Sequence, residues 1–216
     1  MHDRQSQRIR VTVSLSKDLL DVIDEQIDGL RVRNRSHAVE SLLTESLQVA
    51  QIREAIILAG GEQAPRRLAA IEQMLKTLRE YGIFEVTIAV GYLGEAIRKQ
   101  VGDGRELGMT ISYAQSELGT AGALYQLKNK IKSTFFVVNI ERPVEVDLKN
   151  LVKFHREHAP LVTIATKSLR DLSGIYVMEP RALQSIPKGF CMLEETVFHN
   201  LTKQGKLLAY PVLTEK

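Results

Sequence analysis

The sequence predicts an α/β protein in two parts: a strand, helix, helix segment over residues 1–50 and a mostly parallel sheet with flanking helices over residues 53–216. Three observations lead there. The run RIRVTVSL at 8–15 alternates apolar and polar residues with the period of a half-buried strand, and two stretches of helical spacing follow it. From Ile52 onward, apolar runs such as EAIILAGG, VTIAVGY, FFVVNI and LVTIAT alternate with amphipathic stretches, as parallel α/β sheets require. The composition is that of a globular chain, 44% apolar and 25% charged over 216 residues, with no apolar run near the roughly 18 residues of a membrane span. A polar start, MHDRQSQRIR, and a lone Cys191 imply a cytoplasmic protein without internal disulfides.

In the first segment Ile9, Val11, Val13 and Leu15 share one face, and Arg8, Arg10, Thr12 and Ser14 share the other. Ser16 is an N-cap candidate for a helix whose apolar residues Leu19, Leu20, Ile23 and Ile27 run to a stop at Gly29. After the turn RVRNR, Ser36 is the cap candidate for a second helix through Ala38, Val39, Leu42, Leu43, Ser46 and Leu47. One strand and two short helices cannot bury that apolar face alone. A second copy is therefore expected to pair its own strand, giving an intertwined homodimer, with a tetramer as the further option. The net charge of +3 is small, but Arg4, Arg8 and Arg10 form one basic cluster and Arg31, Arg33 and Arg35 another. Two such patches on an otherwise acidic unit suit an anionic partner.

The stretches RIRVTVSLSKDLLDVID and NRSHAVESLL resemble the ribbon-helix-helix family of DNA-binding proteins. The resemblance implies double-stranded DNA as partner, with paired strands reading the major groove through Arg8, Arg10, Thr12 and Ser14. It also places Asn34, Arg35 and Ser36 beside a phosphate at the start of the second helix. The residue chemistry suits this, since Arg can grip guanine bidentately and helix-start amides bind phosphate. His37 departs from the acid often found there.

In the second segment a helix through Leu68, Ile71, Met74, Leu75 and Leu78 stops at Tyr81-Gly82. A strand is expected at MTISYA, and helices at GEAIRKQV, TAGALYQLKNKI and DLKNLVKFHREH. Ligands of such sheets bind at the carboxyl ends of the strands, where Gly60, Gly61, Gly91, Gly119 and Gly122 fall. Tyr92, after Gly91, either stacks on a ligand or packs. His155 and His158 read as solvated helix residues, and Cys191 as a small buried hydrophobe.

IILAGG (56–61), IFEVTIAVGYLGEAIRKQVGDG (83–104), LGTAGAL (118–124) and FFVVNIERPVEVDLKNLVKFHREH (135–158), with a fainter tail at SGIYVMEPRAL, resemble the sugar-phosphate nucleotidyltransferase family. The resemblance implies a Rossmann-like fold and a nucleotide site at Ala59, Gly60, Gly61, Gly119, Thr120 and Ala121, with Gln115 at the base and Gly91 and Tyr92 alongside. Three departures stand out. The family's G-T-R stretch and Lys-Pro pair are missing after AGG, leaving Arg66 and Arg67 as the nearest cations. Glu141 replaces the metal-binding Asp, with Ile140 where Gly is usual, and the sugar-binding insertion after TIAT is absent. Phosphoryl-type transfer depends on positioning and charge stabilisation. These losses predict a catalytically inactive domain with no catalytic residues and no required cofactor, with Mg²⁺ doubtful because the longer carboxylate moves any site for it. On that reading the domain binds a nucleotide or sugar nucleotide as effector, with Glu141 among the ligand contacts, or mediates oligomerisation. The expectation is a cytoplasmic, nucleoid-associated, dimeric transcription regulator. The alternative is an active nucleotidyltransferase on a sugar phosphate or similar acceptor, with Glu141 holding the metal and the first segment serving dimerisation or autoregulation.

Overall fold

A computed structural model describes residues 10–29, 32–47, 52–61, 68–92, 94–141, 145–167 and 174–212. The chain separates into two compact units, Met1–Gln48 and Val49–Lys216. Of the linker that the sequence places near Val49–Arg53, residues 49–51 lie outside the described residues.

In the smaller unit α1 spans Lys17–Glu25 and α2 spans Arg35–Leu47. Ser16 caps α1 as expected, its Oγ accepting from the Leu19 amide at 3.4 Å. The cap of α2 is Asn34 rather than Ser36: Asn34 Oδ1 accepts from the His37 amide at 2.9 Å, and Ser36 already lies in the first turn. Residues 10–16 form no strand, because no described residue of the single chain supplies a second strand to complete the ladder. Val11 and Val13 are consequently 75% and 66% exposed, while Ile23 and Ala38 are buried.

The larger unit is built on a seven-stranded sheet. Its strands are β1 (Glu54–Ala59), β2 (Glu85–Val90), β3 (Thr110–Gln115), β4 (Phe135–Asn139), β5 (Val162–Thr166), β6 (Ile175–Met178) and β7 (Leu207–Pro211), in the spatial order β3-β2-β1-β4-β6-β5-β7. The run β3-β2-β1-β4 is parallel throughout, with Ile57 opposite both Ile88 and Val138. β6 runs antiparallel to β4 and β5, and β7 is parallel to β5. β4, FFVVN, is buried along its whole length, as a central strand covered on both faces must be.

Among the described residues five α-helices cover the sheet: α3 (Leu68–Tyr81), α4 (Gly94–Val101), α5 (Gly119–Leu127), α6 (Leu148–His158) and α7 (His199–Lys203), the last preceded by a π-helical turn at Leu193–Phe198. Ile71, Leu75 and Leu78 of α3, Ile97 of α4 and Leu151 of α6 pack with Ile57, Ile88 and Val138 on one face. Ala121, Leu124 and Leu127 of α5 pack with Leu58, Val137, Tyr176, Val197 and Phe198 on the other. Each strand's alternate residues thus serve two separate cores. Among the described residues, no helix is long and apolar enough to cross a membrane.

His155 is not the solvated residue its spacing suggested; it is 2% exposed. Its Nδ1 lies 2.8 Å from Thr163 Oγ1 and its Nε2 3.3 Å from Glu179 Oε1, and Thr134 Oγ1 donates to the same carboxylate oxygen at 2.7 Å. A carboxylate only accepts, so Nε2 carries the proton. His158 is exposed and stacks on Phe154. The hydrogen bond from His155 holds the Glu179 carboxyl below its ordinary value of 4.5 despite partial burial, helped by Thr134. A lowered folded-state value makes this carboxylate stabilising at neutral pH, a contribution lost as pH falls through that value. Glu179→Gln should lower stability at pH 7 by about 1–3 kcal/mol. Urea midpoints should show the gap to wild type closing as pH falls below the ordinary carboxyl value of 4.5; a gap independent of pH would refute the assignment.

Candidate functional site

A cavity of about 250 Å³ opens at the carboxyl ends of β1, β2 and β4. Hollows of about 280 and 450 Å³ lie at the amino ends of β1–β3 and beside α3, α4 and the turn at Arg105–Leu107. Size does not select the site; topology does, because parallel α/β sheets present ligands at their carboxyl ends. Of the residues expected at a nucleotide, Gly60, Gly61, Gly119, Thr120 and Glu141 line this cavity. Leu58, Ala89, Ser116, Glu117, Ala123, Asn139, Phe190 and Met192 complete its wall.

The other expected residues support the rim or stand apart from it. Ala59 and Ala121 are buried at 2% and 0% exposure. Gly91 packs against the Gly60 carbonyl, and Gln115 Nε2 donates to the Gly91 carbonyl at 3.1 Å, turning that carboxamide to the backbone. Tyr92 is 65% exposed.

The wall is assembled by backbone bonds from two distant parts of the sequence. The Cys191 amide donates to the Leu118 carbonyl at 2.9 Å, and the Cys191 carbonyl accepts from the amides of Ala121 and Gly122 at 3.0 and 3.3 Å. Thr120 Oγ1 accepts from the Leu193 amide at 2.9 Å. So close an approach needs Gly119, whose φ is +75° and where a side-chain carbon would stand 2.6 Å from the Cys191 carbonyl oxygen. Cys191 is buried as expected, but its backbone carries the structural role.

On the opposite wall Glu141 is half-buried and its carboxylate packs against Gly61, filling the space a side chain there would take. Asn139 orients it: Oδ1 accepts from the Glu141 amide at 3.1 Å, while Nδ2 donates to Glu194 Oε1 at 3.2 Å. Tyr176 OH donates to the same oxygen at 3.1 Å. Burial first, and the Glu194 charge second, push the Tyr176 phenol far above its usual range and keep it a donor. Asn139, Phe190, Met192 and Glu194 were not anticipated. Glu194 lies in a π-helical turn 55 residues beyond Asn139, and no local pattern joins the two.

Among the described residues the lining holds the carboxylates Glu117 and Glu141 and neither Lys nor Arg. No group of three or more His, Cys, Asp or Glu among them is placed to hold a metal ion. A single wall carboxylate does fit Mg²⁺ bound jointly by protein, ligand phosphates and water, the usual arrangement for that ion. The doubt about Mg²⁺ is not confirmed.

In the smaller unit Arg10, Thr12 and Ser14 are exposed, and Arg8 lies outside the described residues. The Arg35 guanidinium, expected at a DNA phosphate, is engaged bidentately by Asp24, with both bonds at 2.6 Å. This lowers the Asp24 carboxyl below its usual range and raises the Arg35 guanidinium above its own, in a pair that stands exposed to solvent.

Residues 66–186, more than half of the chain, match the Nucleotidyl transferase family. A rice protein named probable mannose-1-phosphate guanylyltransferase 3 is 27% identical over 177 residues, covering 64% of this chain and 49% of the relative. A Synechocystis protein named UTP–glucose-1-phosphate uridylyltransferase is 25% identical over 167 residues, covering 55% of this chain and 43% of the relative. The chain thus spans about half the length of these curated relatives. In fold it is similar to HddC from Yersinia pseudotuberculosis, with TM-score 0.62, 15% identity, and coverage of 74% of this chain and 90% of that one. It is also similar to a Mycobacterium tuberculosis protein solved as a manganese complex, with TM-score 0.54, 12% identity, and coverage of 75% and 88%.

These findings correct the expected function. The named relatives are nucleotide-transferring enzymes, so the reading of a DNA-binding transcription regulator with an inactive domain does not stand. The match over residues 66–186, which include the VGYLGEAI and LGTAGAL stretches, makes the chain a member of the nucleotidyl transferase family.

Proposed function

We propose that the chain is a nucleotidyltransferase that moves a nucleotidyl group from a nucleoside triphosphate onto a sugar phosphate or similar phosphate acceptor. The observation that carries this reading is one cavity at the carboxyl ends of the strands, walled jointly by the Gly60-Gly61 turn, the Gly119-Thr120 start of α5 and the Glu141 carboxylate. The names of the curated relatives support the same chemistry.

In the transfer, an acceptor phosphate oxygen forms a bond to the α-phosphorus, the bond from that phosphorus to the β-phosphate oxygen breaks, and pyrophosphate leaves with the electron pair. The small Gly60 and Gly61 let backbone approach the ligand closely. Asn139 fixes the backbone of Glu141, and Tyr176 and Asn139 together hold Glu194 away from free rotation beneath the floor. Mg²⁺, when bound, neutralises phosphate charge, and Glu141 is the residue that would hold it. Countercharge would also offset the two carboxylates, Glu117 and Glu141, of the described lining.

The smaller unit serves dimerisation in this reading, in a ribbon-helix-helix-like pairing. Val11, Val13 and Leu15 alternate along one unpaired segment and are 75%, 66% and 41% exposed, with Leu19 and Val22 near half exposure. Burying a valine is worth about 1.5–3 kcal/mol, so two chains pairing these segments gain substantially.

The full chain should release pyrophosphate when given a nucleoside triphosphate, a sugar 1-phosphate and Mg²⁺, and Glu141→Ala should slow release by about 100-fold or more. Chelating the metal should stop it. A wild type silent across guanosine, uridine, cytidine and thymidine triphosphates with hexose 1-phosphates would overturn the proposal. The double substitution Val11→Glu and Val13→Glu should convert a sedimenting dimer to a monomer; unchanged sedimentation would remove these residues from the interface.

A further inference from the structure

We infer that Phe190 is a further nucleotide-binding residue of the candidate site, an aromatic platform on which the base of the bound nucleotide stacks. This rests on the nucleotidyltransferase reading and adds to it which part of the ligand meets the rim, and through what chemistry.

Phe190 is 72% exposed although it lines the cavity. An exposed phenyl at the edge of a hollow has one face free for a ligand. The adjoining backbone is anchored by Cys191, which bonds Leu118 through its amide and Ala121 and Gly122 through its carbonyl. The neighbouring Gly189, at φ +98°, turns the chain at this point. Phe190 is therefore presented from a fixed position rather than from a drifting loop.

Volume and charge decide what it meets. About 250 Å³ is below the roughly 300–1,000 Å³ of small-molecule sites, so a nucleotide with its phosphates extends past the rim. In the proposed chemistry the phosphates lie at Glu141, whose carboxylate packs against Gly61, whereas Phe190 and Met192 are apolar members of the lining, Met192 lying against Gly119. An exposed apolar ring suits a flat π-face and offers nothing to a phosphate or to sugar hydroxyls. Phenylalanine has no hydrogen-bonding group, so the platform strengthens binding of any base and does not choose among them.

The sequence contains no tryptophan, so Phe190→Trp installs a unique fluorophore at the platform. In the full chain with Mg²⁺, GMP, UMP and AMP should each quench it saturably, and ribose 5-phosphate, which lacks a base, should not. Phe190→Ala should raise the KM for the nucleoside triphosphate about tenfold or more, Phe190→Tyr should restore it, and the KM for the sugar phosphate should stay within about twofold. If the nucleotides raise the Tm of wild type but leave the tryptophan unquenched and the KM of Phe190→Ala unchanged, the stacking role is wrong and the enzyme reading survives. If wild type neither binds nucleotide nor releases pyrophosphate, both are wrong.

Discussion

The Cys191 carbonyl accepts two amide hydrogens at the start of α5, and this pair of bonds joins parts of the sequence 70 residues apart into one wall. The approach is possible because Gly119 has no side chain and tolerates positive φ. Leu193 then reaches the Thr120 hydroxyl, Glu194 comes under Asn139 and Tyr176, and Phe190 is delivered to the rim. Much of the cavity's shape follows from that single seam. It also gives the GTAG stretch a double duty: Gly119 and Thr120 face the cavity while Ala121 and Gly122 hold the segment that closes it.

On the facing wall the decisive relation is between Glu141 and Gly61. A carboxylate one methylene longer than aspartate would crowd an ordinary side chain at residue 61, and the glycine there leaves it room. The replacement that argued against a metal from sequence is thus matched by its neighbour. Asn139 strengthens the match by fixing the Glu141 amide while satisfying Glu194, so no carboxylate in this network is left to collapse onto another. With Glu117 also among the described lining residues, that part of the wall is acidic, and countercharge favours the entry of a polyphosphate.

The parallel strands and the helices between them were legible because buried β1, β2 and β4 are continuous apolar runs and α3 and α6 are strongly amphipathic. β6 and β7 were not, since IYVM is four residues long and LLAYP carries no alternating pattern of its own. The first segment read as a strand because its period is right, yet a strand needs a partner that one chain does not supply. His155 misled for a related reason: local spacing placed it on a helix face, and only the sheet and Glu179 beneath show that face to be buried. Gly60, Gly61, Gly119, Thr120 and Glu141 were readable as motif residues. Glu194 and Phe190 were not, because their meaning arises from a packing seam and not from spacing.

Loss of motif residues argued from sequence for an inactive domain, whereas the assembled wall and the relatives argue for transfer chemistry. Phosphorus NMR on the reverse reaction separates the two most directly. The full chain, given Mg²⁺, pyrophosphate and each of a set of nucleoside diphosphate sugars, should convert one of them to nucleoside triphosphate and sugar 1-phosphate, with the diphosphate-linked signals falling as triphosphate signals grow. Spectra unchanged across the whole set, from protein whose fold is verified in the same tube, would contradict the account.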